Sequence, residues 1–253
     1  MNALLVAVLA FFCVFAAAFV GLYLRSVLPE EHLQEQSTDL IKLGIGLIAT
    51  LSAIVLGLLI SSAKSSFDKV NDDLTQTATK TVLLDSTLKH YGAQANDARG
   101  QLKNVYGNLV TLLFAENGSG QGKLDTPFAL AQTESLRKAL LQLSPSDDTQ
   151  RWLKARALEI FTELSTERWL LMLQRESSIS IPFLVVLLFW LSVIFMAFGL
   201  LAPRNVTVVA TLLVCGLSVA GAIFLLLELD QPLNGLMKVS GEPMRQALRH
   251  LGK

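Results

Sequence analysis

Within residues 43–63 the chain returns to a small side chain at every fourth position: Ala49, Ala53, Gly57 and Ser61, with Ser65 continuing the series. Gly46, Thr50 and Ser52 add further small or hydroxyl-bearing groups. Two kinds of behaviour use such a face. Against another helix, small residues let two backbones approach closely. Toward an axis shared by several copies, the same residues line a narrow, mostly apolar path that gates by dewetting. Gly46, Ala49, Thr50, Ala53, Gly57 and Ser61 are therefore candidates for pore lining or for helix packing, within one protomer or between protomers.

Other reactive residue types are scarce. His32 lies among Glu30, Glu31 and Glu35, and a helical loop would put Glu31 and Glu35 on one face beside it. That pattern fits a metal or proton-sensing site, or simply a solvated loop. His90 and His250 have no carboxylate or cysteine at ligand spacing, and Asp147–Asp148 reads as helix capping. Cys13 and Cys215 both sit inside apolar runs, which excludes a disulfide framework and a cysteine zinc site. No phosphate-cradling glycine loop, nucleophile elbow or His-Glu-x-x-His pattern is present. The expectation is no enzyme, no metal and no cofactor.

These residues must be positioned by helices in a membrane. Of the 253 residues 52% are hydrophobic and 17% charged, with 21 basic and 21 acidic side chains. Mean hydropathy is +0.49. A neutral chain lacks the cationic surplus that nucleic-acid binding uses. Four charge-free runs, at residues 2–24, 43–63, 179–202 and 205–227, are long enough to cross a hydrocarbon core of ~30 Å at ~1.5 Å per residue. The first reads as an anchor rather than a cleaved signal, because no basic residue precedes it and it exceeds a signal's apolar region. Pro203 and Asn205 stop one helix and cap the next, so the third and fourth spans form a tight hairpin.

The fold class expected is all-α: four transmembrane helices with a helical soluble domain inserted between the second and third spans. The divisions are 1–63, a first transmembrane hairpin with a polar loop at 25–42; 64–178, a helical cytoplasmic domain; 179–229, a second transmembrane hairpin; and 230–253, a tail with a short amphipathic helix. Arg25, Lys42 and Arg204 flank one side of the spans. Lys64, Lys69, Arg168, Arg175, Lys238, Arg245, Arg249 and Lys253 flank the other, so the termini and the middle region fall on the cytoplasmic side.

No Pro or Gly interrupts the chain between Gly57 and Gly92, which predicts one helix from about Leu43 to Tyr91 with Gly92 as its C-cap. Phe67, Val70, Leu74, Thr77, Thr81, Leu84, Leu88 and Tyr91 recur at alternating steps of three and four. This is either a face packed on its own domain or a seam between copies, with Phe67, Val70, Leu74, Leu84 and Leu88 as the oligomer-seam candidates. Further helices are expected at 95–115, burying Leu102, Val105, Leu109, Leu112 and Leu113, and at 127–143, apolar at Phe128, Leu136, Leu140 and Leu143. A fourth, capped by Ser144 with Pro145 at its first position, buries Leu153, Ala157, Ile160 and Leu164. In the tail, Met244, Ala247, Leu248 and Leu251 share one face, which docks either on the stalk or on the inner leaflet.

Together these motifs resemble a bacterial membrane family described as bestrophin-like. The residues that carry the resemblance are Ile181–Pro182–Phe183–Leu184–Val185–Val186, Phe189–Trp190–Leu191, Phe198–Gly199–Leu200 and Ala202–Pro203–Arg204–Asn205. Leu83–Leu84–Asp85, His90–Tyr91–Gly92, Leu143–Ser144–Pro145, Glu228–Leu229–Asp230–Gln231–Pro232, Gly235, Val239–Ser240 and Leu28–Pro29–Glu30–Glu31–His32 extend it over nearly the whole chain. Leu233 departs from it, since the family more usually has Phe there. The resemblance supplies no catalytic residues. True bestrophins are pentameric anion channels with an apolar neck on their second span, and neither their neck motif nor their acidic calcium clasp occurs here. What the resemblance implies is layout, and through it a homo-oligomeric ion channel of the bacterial inner membrane. The alternative is a non-conducting membrane scaffold or sensor whose stalk binds an unidentified protein partner.

Overall fold

The computed structural model describes residues 2–29, 34–114, 127–173, 181–203, 205–233 and 235–253, with the side chains of 127–129 and 171–173 outside the description. The described residues are helical, without strands: α1 (Ala3–Val27), α2 (Glu35–Tyr91), α3 (Asn96–Leu113), α4 (Pro127–Gln142), α5 (Asp148–Leu173), α6 (Ile181–Leu201), α7 (Val206–Leu229) and α8 (Glu242–His250). α1, α2, α6 and α7 are long and apolar enough to cross a membrane. The chain divides into two compact units.

The first unit comprises 1–67, 177–231 and 235–237. In it α1 packs mainly along α6 and also along α7. The inward residues of α1 are Ala3, Ala7, Ala10, Val14, Ala18, Gly21 and Leu22, a narrow stripe of mostly small side chains. Close approach of backbones follows, because lipid already solvates large apolar groups and the gain lies in van der Waals contact. The approach is tightest at Gly21 and Gly199. A Cβ on Gly21 would lie 1.8 Å from the carbonyl oxygen of Met196, and one on Gly199 would lie 2.1 Å from that of Ala18. Arg25, in the last turn of α1, donates from Nη1 to the carbonyl of Leu201 at 2.8 Å, which satisfies an orphan acceptor at the end of α6. Asn205 caps α7 as its sequence implies, its side chain accepting from the Val208 N–H at 2.8 Å.

The second unit comprises 68–176, 232–234 and 238–253. Its core joins Leu84, Leu88 and Tyr91 of α2 to Ala98 and Leu102 of α3, Leu136 and Leu140 of α4, Leu143, and Leu153, Ala157, Ile160 and Phe161 of α5. Gly92 ends α2 at φ +109°, a conformation that costs a side-chain-bearing residue and suits glycine. On α3, Leu102 is buried as expected, but Tyr106 and Val110 take the deepest later positions, while Val105, Leu109, Leu112 and Leu113 are half-buried.

Two expectations are corrected, and one open alternative is decided. The first loop is much shorter than 25–42, because Arg25 belongs to α1 and α2 begins at Glu35. No Pro or Gly lies between Glu35 and Lys42, and Lys42 pairs with Asp39 one turn back at 2.8 Å, so this polar stretch adds turns to the helix. α5 starts at Asp148 rather than at Pro145. Asp147 is the better-supported cap, since its carboxylate accepts from the Gln150 N–H at 2.7 Å while Gln150 reaches back to the Ser146 N–H at 2.8 Å. For α8 the stalk-docking alternative is the one the burial supports. Met244, Ala247 and Leu251 are buried within the second unit, where α8 packs on α3.

Candidate functional site

α2 carries the sequence candidates, and its faces differ. Ile45, Ser52 and Ala63 are buried within the first unit, and Leu56 and Leu59 pack with the core there. Leu43, Leu47, Leu51, Ile54 and Leu58 are large and exposed. The small-residue face lies apart from both. Gly46, Thr50, Ala53, Gly57 and Ser61 are exposed and Ala49 is half-buried. A Cβ on Gly46 or Gly57 would meet nothing within 4 Å. Only 6% of the second span's apolar window is buried in the single chain, against 22–28% for the other three. Apart from the half-buried Ala49, this stripe is open in the single chain.

Two hydroxyls of the second span are spent on the helix itself. Thr50 donates its hydroxyl to the Gly46 carbonyl at 2.9 Å, and Ser52, on the buried face, donates to Ile48 at 2.8 Å. A hydroxyl whose proton goes to the preceding turn has none left for an anion, although its oxygen can still accept.

The heptad candidates split along the chain. Phe67 and Val70 are half-buried. Leu74, Leu84 and Leu88 are 2%, 0% and 1% exposed, and Leu84 and Leu88 stand in the core of the second unit. A side chain already enclosed has no surface left for a second copy, so Leu74, Leu84 and Leu88 are corrected from the oligomer seam to intrachain packing. The loop with Glu30, Glu31 and His32 lies outside the described residues. Among the described residues no cluster of His, Cys, Asp or Glu could hold a metal.

Two polar constellations in the second unit went unremarked in the sequence. Asp85 of α2, buried at 6% exposure, takes a two-pronged contact from Arg99 of α3. Nε donates to Oδ1 at 2.9 Å and Nη2 to Oδ2 at 3.0 Å. The chain end closes over this pair, with the Gly252 N–H donating to Oδ2 at 3.3 Å and Arg99 Nη2 to the Lys253 carbonyl at 3.1 Å. The hydrogen bonds to Asp85 hold the Arg99 guanidinium above its ordinary pKa.

Lys80 of α2 bridges two carboxylates of α5, at 2.8 Å from Glu163 Oε2 and 2.5 Å from Glu167 Oε1, and Thr77 donates to Glu167 at 3.2 Å. The Lys80 hydrogen bond holds Glu163 below the usual carboxylate range. Hydrogen bonds to Glu163 and Glu167 in turn push Lys80 up. Burial pushes Asp73 up, and the charge of Glu167 adds to that. The signs differ. Glu163, lowered on folding, stabilises above the ordinary carboxylate pKa and loses that contribution as pH falls through its folded value. Lys80, raised, stabilises below the ordinary lysine pKa and loses its contribution as pH rises through the folded value. Asp73, raised, opposes folding when ionised and is relieved in acid. In the Lys80→Met variant these carboxylates lose their shared cation. Its melting temperature is expected to fall below the parent's at neutral pH and to recover part of the difference as the pH falls through the ordinary glutamate pKa toward the lowered one of Glu163. A constant offset over that range would remove the coupling.

Four apolar helices, a small-residue stripe left open on one of them and a helical polar domain define a polytopic all-α membrane protein. The family model described as the bestrophin-like domain matches residues 7–244. The chain belongs to the bestrophin-like family. Among solved structures it is similar to the crystal structure of a bacterial bestrophin homologue from Klebsiella pneumoniae carrying a mutation, with a TM-score of 0.64 and 13% identity over 96% of this chain and 97% of that one. At this identity the likeness is one of fold. No curated protein matches the chain.

Proposed function

We propose that the protein is a homo-oligomeric ion channel of the bacterial inner membrane, with the open face of α2 turned toward the oligomer axis. The observation that carries this reading is that Gly46, Ala53, Gly57 and Ser61 are exposed in the single chain, although small residues gain most from close approach. Membership of the bestrophin-like family supports it. One copy has no polar path through four apolar helices, so conduction needs several copies around an axis. A narrow apolar lining would then gate by wetting and dewetting rather than by a charged filter. In this reading the protein catalyses no reaction, and its termini and second unit lie on the cytoplasmic side with the richer set of basic flanks.

The test is ion flux through liposomes containing the purified protein, beside its protomer count with detergent subtracted. The expected result is a closed ring whose flux exceeds that of empty liposomes. In the Gly57→Leu variant flux drops to the empty-liposome level while the ring persists, because the position is open within the protomer. A monomeric parent protein, or undiminished flux in Gly57→Leu, would overturn the proposal.

A further inference from the structure

Glu228 is the second-last residue of α7 and only 6% exposed. Its Oε2 accepts from the backbone N–H of Leu236 at 2.5 Å and of Met237 at 3.3 Å. Gly235 stands against the same oxygen, and a Cβ there would lie 2.3 Å from it, so a larger residue would push the carboxylate off its place. The Gly235 N–H also donates to the Gln231 carbonyl at 3.0 Å. A buried carboxylate bonded to two main-chain amides is a costly way to hold a turn unless the turn's position matters. This turn presents Leu236 and Met237 outward, 84% and 46% exposed.

The place of the turn identifies what covers them. α7 has 24 residues, about 36 Å of helix, against a hydrocarbon core of ~30 Å. Glu228 at its C-terminal end therefore stands at the bilayer surface, and the amides it binds stand there with it. Residues 235–237 group with the membrane-spanning unit. Val206, at the other end of α7, is 86% exposed in the same way. The exposed Lys238 follows Met237, so the order along the chain, apolar then cationic, matches the order of acyl boundary then phosphate in a leaflet.

We infer that Leu236 and Met237 form a lipid-inserting tip, and that Glu228 is the positioning residue that holds them against the leaflet. The partner is the anionic bilayer surface, and the inference does not depend on conduction.

The test is membrane depth by spin labelling of the full chain in liposomes of phosphatidylcholine and phosphatidylglycerol. Leu236→Cys, Met237→Cys and, as an aqueous control, Ser240→Cys are made in a Cys13→Ala, Cys215→Ala background. Labels at 236 and 237 are expected to collide more with oxygen than with a nickel chelate, and the label at 240 the reverse. Adding Glu228→Ala shifts position 236 to the aqueous pattern, whereas Glu228→Gln, whose side-chain oxygen still accepts, does not. If Glu228→Ala fails to fold, the depth of the label in the parent background still decides. Greater access of nickel at 236, or shielding from both reagents with dipolar broadening from a second copy, would overturn the inference.

Discussion

Gly21→Leu is expected to abolish folded, monodisperse protein, and Gly21→Ala or Gly199→Ala to lower the melting temperature sharply. At both glycines the obstacle to a Cβ is backbone, the Met196 carbonyl oxygen at 1.8 Å in one case and the Ala18 carbonyl oxygen at 2.1 Å in the other. Neither can yield by changing a rotamer, so α1 and α6 must separate along their contact. Overpacking a well-filled site costs about 1–3 kcal/mol where side chains can adjust, and separating two main chains exceeds that. Against a total stability of about 5–15 kcal/mol, the leucine variant has little margin left. Gly44→Ala and Gly46→Ala are the controls. Nothing lies within 4 Å of a Cβ at either position, and alanine favours the helix by up to about 1 kcal/mol. Size-exclusion chromatography and thermal unfolding in one detergent read all five variants. A Gly21→Leu protein that melts with the parent would remove the close crossing of α1 on α6 from the account.

The second large effect is expected at Asp85 and Arg99. Both side chains are mostly enclosed, at 9% and 13% exposure. Removing one leaves the other's charge in a site that water scarcely reaches. Breaking such a pair costs about 3–5 kcal/mol, whereas replacing both partners by apolar groups of similar volume is often neutral. Asp85→Ala and Arg99→Ala should each lower the melting temperature well beyond the Lys80→Met variant, whose ion pairs are more exposed. Asp85→Leu combined with Arg99→Met should recover most of the loss. The single changes also release Gly252 and Lys253 from the pair, so faster proteolysis or hydrogen exchange at the chain end should accompany the lost stability. A double variant as unstable as the sum of the singles would show that the pair does more than neutralise itself.

Much of this molecule is legible without a structure, and the legible parts share a cause. The four spans follow from local transfer energies summed over about 20 residues. The unbroken α2 follows from the absence of Pro and Gly up to Gly92, and the start of α7 from the capping preference of Asn205. Leu136, Leu140, Ala157 and Ile160 were legible as core because helical periodicity puts them on one face. Where two local signals compete, the reading weakens. Ser144–Pro145 and Asp147 both offer a helix start, and a contact from Gln150 decides for Asp147.

Tertiary structure decided what no local signal could. α1 and α2 both carry small residues at helical spacing, and the sequence drew attention to the stripe on α2. The fold uses the stripe on α1, from Ala3 to Gly21, against α6, and leaves Gly46, Ala53 and Gly57 of α2 open. The same holds for the heptad on α2, where Leu84 and Leu88 are enclosed by α3, α4 and α5. It holds again for Asp85 and Arg99, which are apart in sequence and meet only when α3 turns back on α2. Periodicity states that a face will be buried and what kind of surface fits it. Which surface covers it depends on complementarity between segments distant in the chain, and that is settled only when the helices pack.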